Sequence, residues 1–338
     1  MRVVFMGTPV FSVPCLVAMV EAGHTVPLVV TQPDRPKGRG RELSPTPVKQ
    51  AALDRNIAVF QPERPNRDDA VATIEAARPD VLVVVAYGAI LKARLLGLAP
   101  KGAVNVHASL LPRHRGMSPI HRAILDGDEE TGITTMFMDE GVDTGDMILI
   151  ETTPIAPNET TGQLHDRLAQ MGARLLVDTL ARIEAGTAPR TPQPPLGASY
   201  AGRIDKIDGV IDWSRNAAQV HNRIRAMTPA PGATGSLEGQ PLLVAGSLLV
   251  DESVQDAIPH GDTTRTPGGE PAIPGTVLAV MRDALRVATG QGAIDIHEVR
   301  PAGGRTMSAS AYARGRGIAP GSRFYAPPAS PGAPGAAR

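Results

Sequence analysis

Asn105 and His107 stand two residues apart in Gly102-Ala-Val-Asn-Val-His-Ala-Ser-Leu-Leu-Pro112. In a strand, positions i and i+2 project from one face, so the two polar side chains share one pocket. An amide and an imidazole placed together can donate to a developing oxyanion or move protons; the same pair also occurs as an ordinary buried hydrogen-bonded couple. The loop that follows, Ser109-Leu-Leu-Pro-Arg-His-Arg-Gly-Met-Ser-Pro119, carries more Pro, Gly and Arg than packing needs and reads as a substrate cradle. Downstream, Met138-Asp-Glu-Gly-Val-Asp-Thr-Gly-Asp146 brings four carboxylates together directly after a candidate strand. Such a run is commonly a solvated turn or a cation loop, but the EF-hand pattern of Gly at position six and Glu at twelve is absent. A carboxylate from it could instead meet the Asn/His pair at the carboxyl edge of a parallel sheet, orient the histidine and help move protons. Near the start, Gly7-Thr8-Pro9 follows the first strand without completing a dinucleotide fingerprint or a P-loop. It reads as a helix start, with Thr8 as N-cap and Pro9 at the first helical position, and as a turn able to line a pocket.

These groups need a scaffold, and the first 150 residues alternate short apolar runs with amphipathic stretches, the rhythm of a parallel sheet covered by helices. Val81 to Val85 is apolar at every position, as a strand buried on both faces should be; Ala103 to His107 and Ile133 to Met138 are further candidate strands. Residues 161–185 space Leu164, Leu168, Met171, Leu175, Leu176, Leu180 and Ile183 helically, predicting a long amphipathic helix that ends near Gly186. Four prolines at 189, 192, 194 and 195 then exclude a helix. The expected organisation is an α/β, Rossmann-like parallel-sheet domain over 1–188, an extended linker over 189–203, a small OB-like β-barrel domain over 204–325 and a disordered tail over 326–338. Within the barrel, a helix is expected near Ala217 to Ala226, and residues 256–274 read as a polar, Pro/Gly-rich insert.

The chain has 338 residues with 34 basic and 34 acidic side chains, so overall charge points to no partner and local charge must be read instead. Cys15 is the one cysteine, which excludes an internal disulfide, and no Cys/His cluster has zinc spacing, so no metal is expected. No apolar run approaches membrane-spanning length and no leader is evident; the cytoplasm is the expected compartment.

NVHASLLP followed by PRHRG, with DEGVDTGDM downstream, resembles the formyltransferases that use 10-formyltetrahydrofolate. The resemblance runs nearly the whole length, through MRVVFMGTPVFSVPCL, VTQPDRPKGRGRELSPTPVK, VVVAYGAIL, YAGRIDKIDGVIDWS, PGTVLAV and GGRTMSASAYARGRGIAPGSRF, and lies closest to the branch that formylates the methionine carried by initiator tRNA. It implies Asn105, His107 and Asp143 as a catalytic trio: Asn105 and a protonated His107 stabilise the oxyanion formed when the amine attacks the formyl carbonyl, and Asp143 holds His107 charged and helps carry the proton. Transfer is direct, without a covalent nucleophile. It further implies that Ser109, Leu110, Leu111 and Pro112 contact the folate, with Ala86, Tyr87, Gly88, Val142 and Gly145 walling the pterin pocket. Folate is a co-substrate here, and no metal is called for.

For the tRNA partner, the resemblance points to the loop Pro33 to Arg41, with Arg35, Lys37, Arg39 and Arg41 against Asp34 alone, as a grip on the acceptor arm. Lys206 and a basic carboxyl-terminal patch including Arg305, Arg314 and Arg316 suit phosphates. The family leads one to expect a monomer and no membrane partner. Where PRWRGAAPIQRAI is usual, the chain has His114, Met117, Ser118 and His121, and NPWPGA becomes Thr228-Pro-Ala-Pro-Gly-Ala; how the methionine or acceptor stem is held is therefore open. A formyltransferase for a small amine, such as glycinamide ribonucleotide or an amino sugar, or a formyltetrahydrofolate hydrolase, shares the first-domain motifs; the second domain argues for tRNA. A non-catalytic folate- or RNA-binding protein is the alternative outside the enzymes.

Overall fold

The computed structural model describes residues 1–37, 42–250 and 271–326. The chain divides into two compact units: Met1–Ile120, Glu130–Pro154 and Gln163–Arg203 form the first, and His121–Glu129, Ile155–Gly162 and the chain from Ile204 the second.

The first unit opens with β1 (Arg2–Gly7), α1 (Val13–Glu21), β2 (Thr25–Val30), the short pair β3 (Arg35–Lys37) and β4 (Glu42–Ser44), α2 (Pro47–Leu53), β5 (Val59–Phe60), α3 (Asp68–Ala76), β6 (Val81–Val85) and α4 (Ala93–Leu96). The chain continues through β7 (Ala103–His107), β8 (Arg115–Gly116), α5 (Pro119–Asp126, which belongs to the second unit from His121 on), β9 (Glu130–Phe137), β10 (Met147–Pro154), α6 (Thr161–Glu184) and β11 (Tyr200–Ala201). The main sheet of the first unit has the order β10-β9-β7-β6-β1-β2-β5. The expected parallel sheet is present from β5 to β7, and β9 and β10 extend it antiparallel. The uniform apolarity of β6 has its reason in this order, because β6 is central and buried at all five positions.

Alternation sorts the two faces. Val4, Met6, Leu82 and Val84 cluster with Val71 and Ile74 of α3 and Leu95 of α4. On the other face, Gly172 of α6 lies against Val106 and Ile133, and Thr135 bonds Thr179 of α6 at 2.8 Å. Every one of the seven apolar residues expected on the inner stripe of α6 is buried.

Two local expectations are corrected. The chain after Gly7 forms a 3-10 turn over Val10–Ser12 before α1 begins at Val13, because Pro14 occupies the first turn, where a missing N–H costs nothing. Thr8 does not cap: its hydroxyl donates to the Tyr87 carbonyl at 2.9 Å and accepts from Gln32 N–H at 3.4 Å, tying together the ends of β1, β2 and β6. Residues 189–203 are extended, as their prolines demand, yet they are fastened along the first unit. Thr191 exchanges backbone bonds with Met147 at 2.9 and 3.0 Å, and Tyr200–Ala201 pairs in parallel with Arg115–Gly116.

The second unit contains α7 (Ala217–Ala226), where the sequence pattern predicts a helix, then β12 (Ala233–Leu237), β13 (Gln240–Leu249), β14 (Val277–Val280), β15 (Leu285–Ala288), β16 (Ala293–Pro301), β17 (Met307–Ser308), α8 (Ala309–Arg316) and β18 (Phe324–Tyr325). The order β14-β15-β16-β13-β12-β18 is antiparallel throughout. A bridge between Thr276 and Arg323 joins its two ends, so the sheet curls into a barrel-like whole. Residues 256–270 of the expected insert and 327–338 of the expected tail lie outside the described residues.

Candidate active site

Asn105 and His107 project from the face of β7 that carries Val84 on the neighbouring strand, since Val84 and Asn105 are register partners. The Asp143 carboxylate meets both. Oδ1 accepts from Asn105 Nδ2 at 3.1 Å, and Oδ2 lies 3.6 Å from His107 Nδ1. The trio meets at the carboxyl end of β7, of which His107 is the last residue, but the carboxylate comes from the opposite end. Because β9 is antiparallel, Phe137 pairs with Val104, at the amino end of β7, and the 139–146 loop folds back across the sheet face to bring Asp143 over the pair. Gly145 is required in that fold, because a Cβ there would collide with the Phe137 carbonyl. Asp143 itself holds φ at +54°, a left-handed conformation uncommon outside glycine and best tolerated by Asn and Asp.

Both nitrogens of His107 face acceptors. A carbonyl oxygen only accepts, so Nε2 donates to the His114 carbonyl at 2.9 Å, while Nδ1 faces the carboxylate. The ring therefore carries a proton on Nε2. Asn105 spends one amide N–H on Asp143 and has a second to offer. Asp143 Oδ2 also accepts Gly116 N–H at 2.8 Å, which ties the 113–118 loop to the carboxylate. Gly116 is at φ +107°, close against the Ala201 carbonyl, so the position needs glycine. All three side chains are largely shielded, with Asn105 at 9% and His107 at 6% exposure, which strengthens electrostatic coupling between them.

Of the other expected residues, Ser109 is buried and donates to the Arg113 carbonyl at 2.6 Å, bracing the cradle from within. Leu110 and Pro112 are partly exposed and Leu111 is buried beside Met136 and Met147. Ala86 and Gly88 are exposed just beyond β6, whereas the Tyr87 ring sits in the core and its carbonyl accepts from the Thr8 hydroxyl. Burial pushes the Tyr87 phenol up to about 12. Val142 is exposed and Gly145 buried. Arg35, Lys206, Arg305, Arg314 and Arg316 are exposed; Arg39 and Arg41 lie outside the described residues, as does the side chain of Lys37. Asp34, the one acid of that loop, is engaged by Lys49 at 2.5 Å and by Gln61, and the Lys49 hydrogen bond holds its carboxyl below the usual range.

Three contributors carry no clear mark in the sequence: the His114 carbonyl, the Gly116 N–H and Gln193. Gln193 lies in the proline-rich segment, and its side chain bonds the carbonyls of Asp143 and Gly145. A polar residue set among prolines is the one available signal. Among the described residues, no group of three or more His, Cys, Asp or Glu could hold a metal ion, and no helix is long and apolar enough to cross a membrane.

Comparison with known proteins places the chain in a family. A formyl transferase family model matches residues 1–180, and the model of the formyl transferase C-terminal domain matches residues 203–317. The chain is similar to the methionyl-tRNA formyltransferase of Heliobacterium modesticaldum, 51% identical over 96% of this chain and 100% of that one, and to that of Symbiobacterium thermophilum, 47% identical over 98% and 97%. In fold it is similar to a Helicobacter canadensis N-formyltransferase solved with folinic acid and dTDP-3-aminofucose, at TM-score 0.61 and 19% identity over 88% of this chain and 99% of that one. The chain belongs to the formyl transferase family, within which it stands with the methionyl-tRNA formyltransferases.

Proposed function

We propose that the chain transfers the formyl group of 10-formyltetrahydrofolate to the amino group of methionine esterified to initiator tRNA, with Asn105, His107 and Asp143 as its catalytic groups. The observation that carries this reading is the convergence of the three side chains on one sheet face. In the reaction the amine nitrogen bonds to the formyl carbon, the bond from that carbon to N10 breaks, and a proton passes from the attacking amine to N10. The spare N–H of Asn105 stands ready for the oxyanion; a donor of this kind is worth about 3 to 4 kcal/mol. His107 adds a second donor when its Nε2–H turns from the His114 carbonyl to the oxyanion. Asp143 keeps the imidazolium paired and supports the proton transfer.

Ser109 to Pro112, Ala86 to Gly88, Val142 and Gly145 frame the folate. Arg35, Lys37, Arg39, Arg41, Lys206, Arg305, Arg314 and Arg316 take tRNA phosphates. The reaction serves translation initiation in the cytoplasm, and a single chain carries every group that the reading uses, as a monomer would. The test is formyl transfer to initiator methionyl-tRNA beside elongator methionyl-tRNA, glycinamide ribonucleotide and a no-acceptor control. Rapid formylation of the initiator alone supports the reading; product only with the small amine, or formate release without acceptor, replaces it with the small-amine or hydrolase reading.

A further inference from the structure

Gln193 uses its whole hydrogen-bonding capacity on two loops of the candidate active site. Its Nε2 donates to the Asp143 carbonyl at 2.8 Å and to the Gly145 carbonyl at 2.9 Å. Its Oε1 accepts from Arg115 Nε at 3.0 Å and Nη2 at 2.6 Å. The first pair of bonds grips the backbone on which the Asp143 carboxylate is mounted, at its left-handed φ of +54°. The second pair grips the residue between His114, whose carbonyl holds His107 Nε2, and Gly116, whose N–H holds Asp143 Oδ2. One side chain therefore fixes the distance between the carboxylate loop and the loop that supplies partners to both His107 and Asp143.

We propose that Gln193 is a positioning residue for formyl transfer, acting by locking the Asp143 loop onto the 113–116 loop. This rests on the catalytic reading of Asn105, His107 and Asp143. Only a primary amide fits the role, because two carbonyls call for two N–H donors while a guanidinium calls for an acceptor. Glutamate satisfies Arg115 and presents an anion to the two carbonyls; alanine satisfies neither. The segment does not depend on Gln193 for its attachment. Thr191 is paired with Met147, Ser199 Oγ accepts His114 N–H at 2.9 Å, and the β11 pairing with β8 lies beyond it.

The experiment is steady-state formylation of initiator methionyl-tRNA by 10-formyltetrahydrofolate with Gln193→Ala and Gln193→Glu, alongside Asp143→Asn and melting curves of each. A displacement on the scale of an ångström at a reacting group costs on the order of 100-fold. For Gln193→Ala in a folded protein, kcat is expected to fall 10- to 100-fold with both KM values within about threefold of wild type. Gln193→Glu is expected to be no better than alanine. A kcat for Gln193→Ala within twofold of wild type overturns the inference. So does recovery of most of the activity by Gln193→Glu, which would leave Gln193 as a mere anchor for Arg115, and so does loss of kcat only in step with lost folding. If Asp143→Asn is itself fully active, the catalytic reading fails; if Asp143→Asn is impaired while Gln193→Ala is not, only this inference fails.

Discussion

Replacing Asp143 by Asn keeps the shape of the side chain and removes its charge, and the structure allows the cost to be worked out. The carboxylate serves Gly116 N–H at 2.8 Å and Asn105 Nδ2 at 3.1 Å, and faces His107 Nδ1 at 3.6 Å. An amide has one oxygen and one NH2. With its oxygen on Gly116, its NH2 opposes the Asn105 NH2; turned over, it leaves the Gly116 N–H without an acceptor. In both orientations His107 loses its anionic partner. A hydrogen bond to a charged group is worth about 1.5–3 kcal/mol, and a buried donor left unpaired costs about 1–3 kcal/mol. A loss of about 3 kcal/mol from the transition state is ~150-fold in kcat. The assay is single-turnover formylation of initiator methionyl-tRNA at saturating 10-formyltetrahydrofolate, with a melting curve to show that the variant is folded. A folded Asp143→Asn protein within threefold of the wild-type rate refutes the placement of Asp143 at the centre of the chemistry.

Removing Arg314 or Arg316, both exposed on α8, is expected to raise KM for tRNA with kcat little changed; titrating salt shows a binding slope shallower by roughly 0.7–0.9 per arginine that contacts a phosphate. An unchanged slope removes that residue from the interface. Leu168→Ala, a fully buried change on α6, is expected to cost about 2–5 kcal/mol of stability, read from denaturant unfolding, while the remaining folded protein keeps its kcat. Burial holds the His221 imidazole below its ordinary value of 6.5, with Arg225 and His297 adding repulsion, the Pro157 carbonyl opposing them, and Ser247 bonded at 2.9 Å. Because the unfolded state takes up the proton first, stability is retained above about pH 6.5 and falls as the pH drops below it. His221→Gln is expected to flatten the fall in melting midpoint between about pH 7.5 and 5.5; an unchanged pH profile refutes the assignment.

Much of the scaffold is legible in the sequence because burial and periodicity coincide in it. Val81–Val85 is a central strand and is apolar throughout, and α6 buries the stripe its spacing announces. The helix at Ala217–Ala226 is likewise marked by its pattern, with Val220 and Ile224 buried. What escapes is built from small or polar residues. Helix α8 buries Ala309, Ser310, Tyr312 and Ala313, a face with too little contrast to register, and β12 reads ATGSL. The antiparallel direction of β9 has no local signal, since alternation is the same in either direction, and so the path of the Asp143 loop is hidden although its target is not. The alternation of Asn105 and His107 brings them together without reference to the rest of the fold. Gln193, by contrast, reaches Asp143 across 50 residues of sequence. Side-chain bonds of that kind leave no mark on periodicity, and the surrounding prolines favour reading the segment as a linker.

The most direct test of the central claim is single-turnover formylation by His107→Ala, with binding of the folate measured on the same preparation. Binding close to wild type and a transfer rate lowered by at least 100-fold are expected, since oxyanion and proton-transfer support each contribute on the order of 10² or more. Unchanged turnover with initiator methionyl-tRNA contradicts the claim and returns Asn105, His107 and Asp143 to the status of a buried structural network.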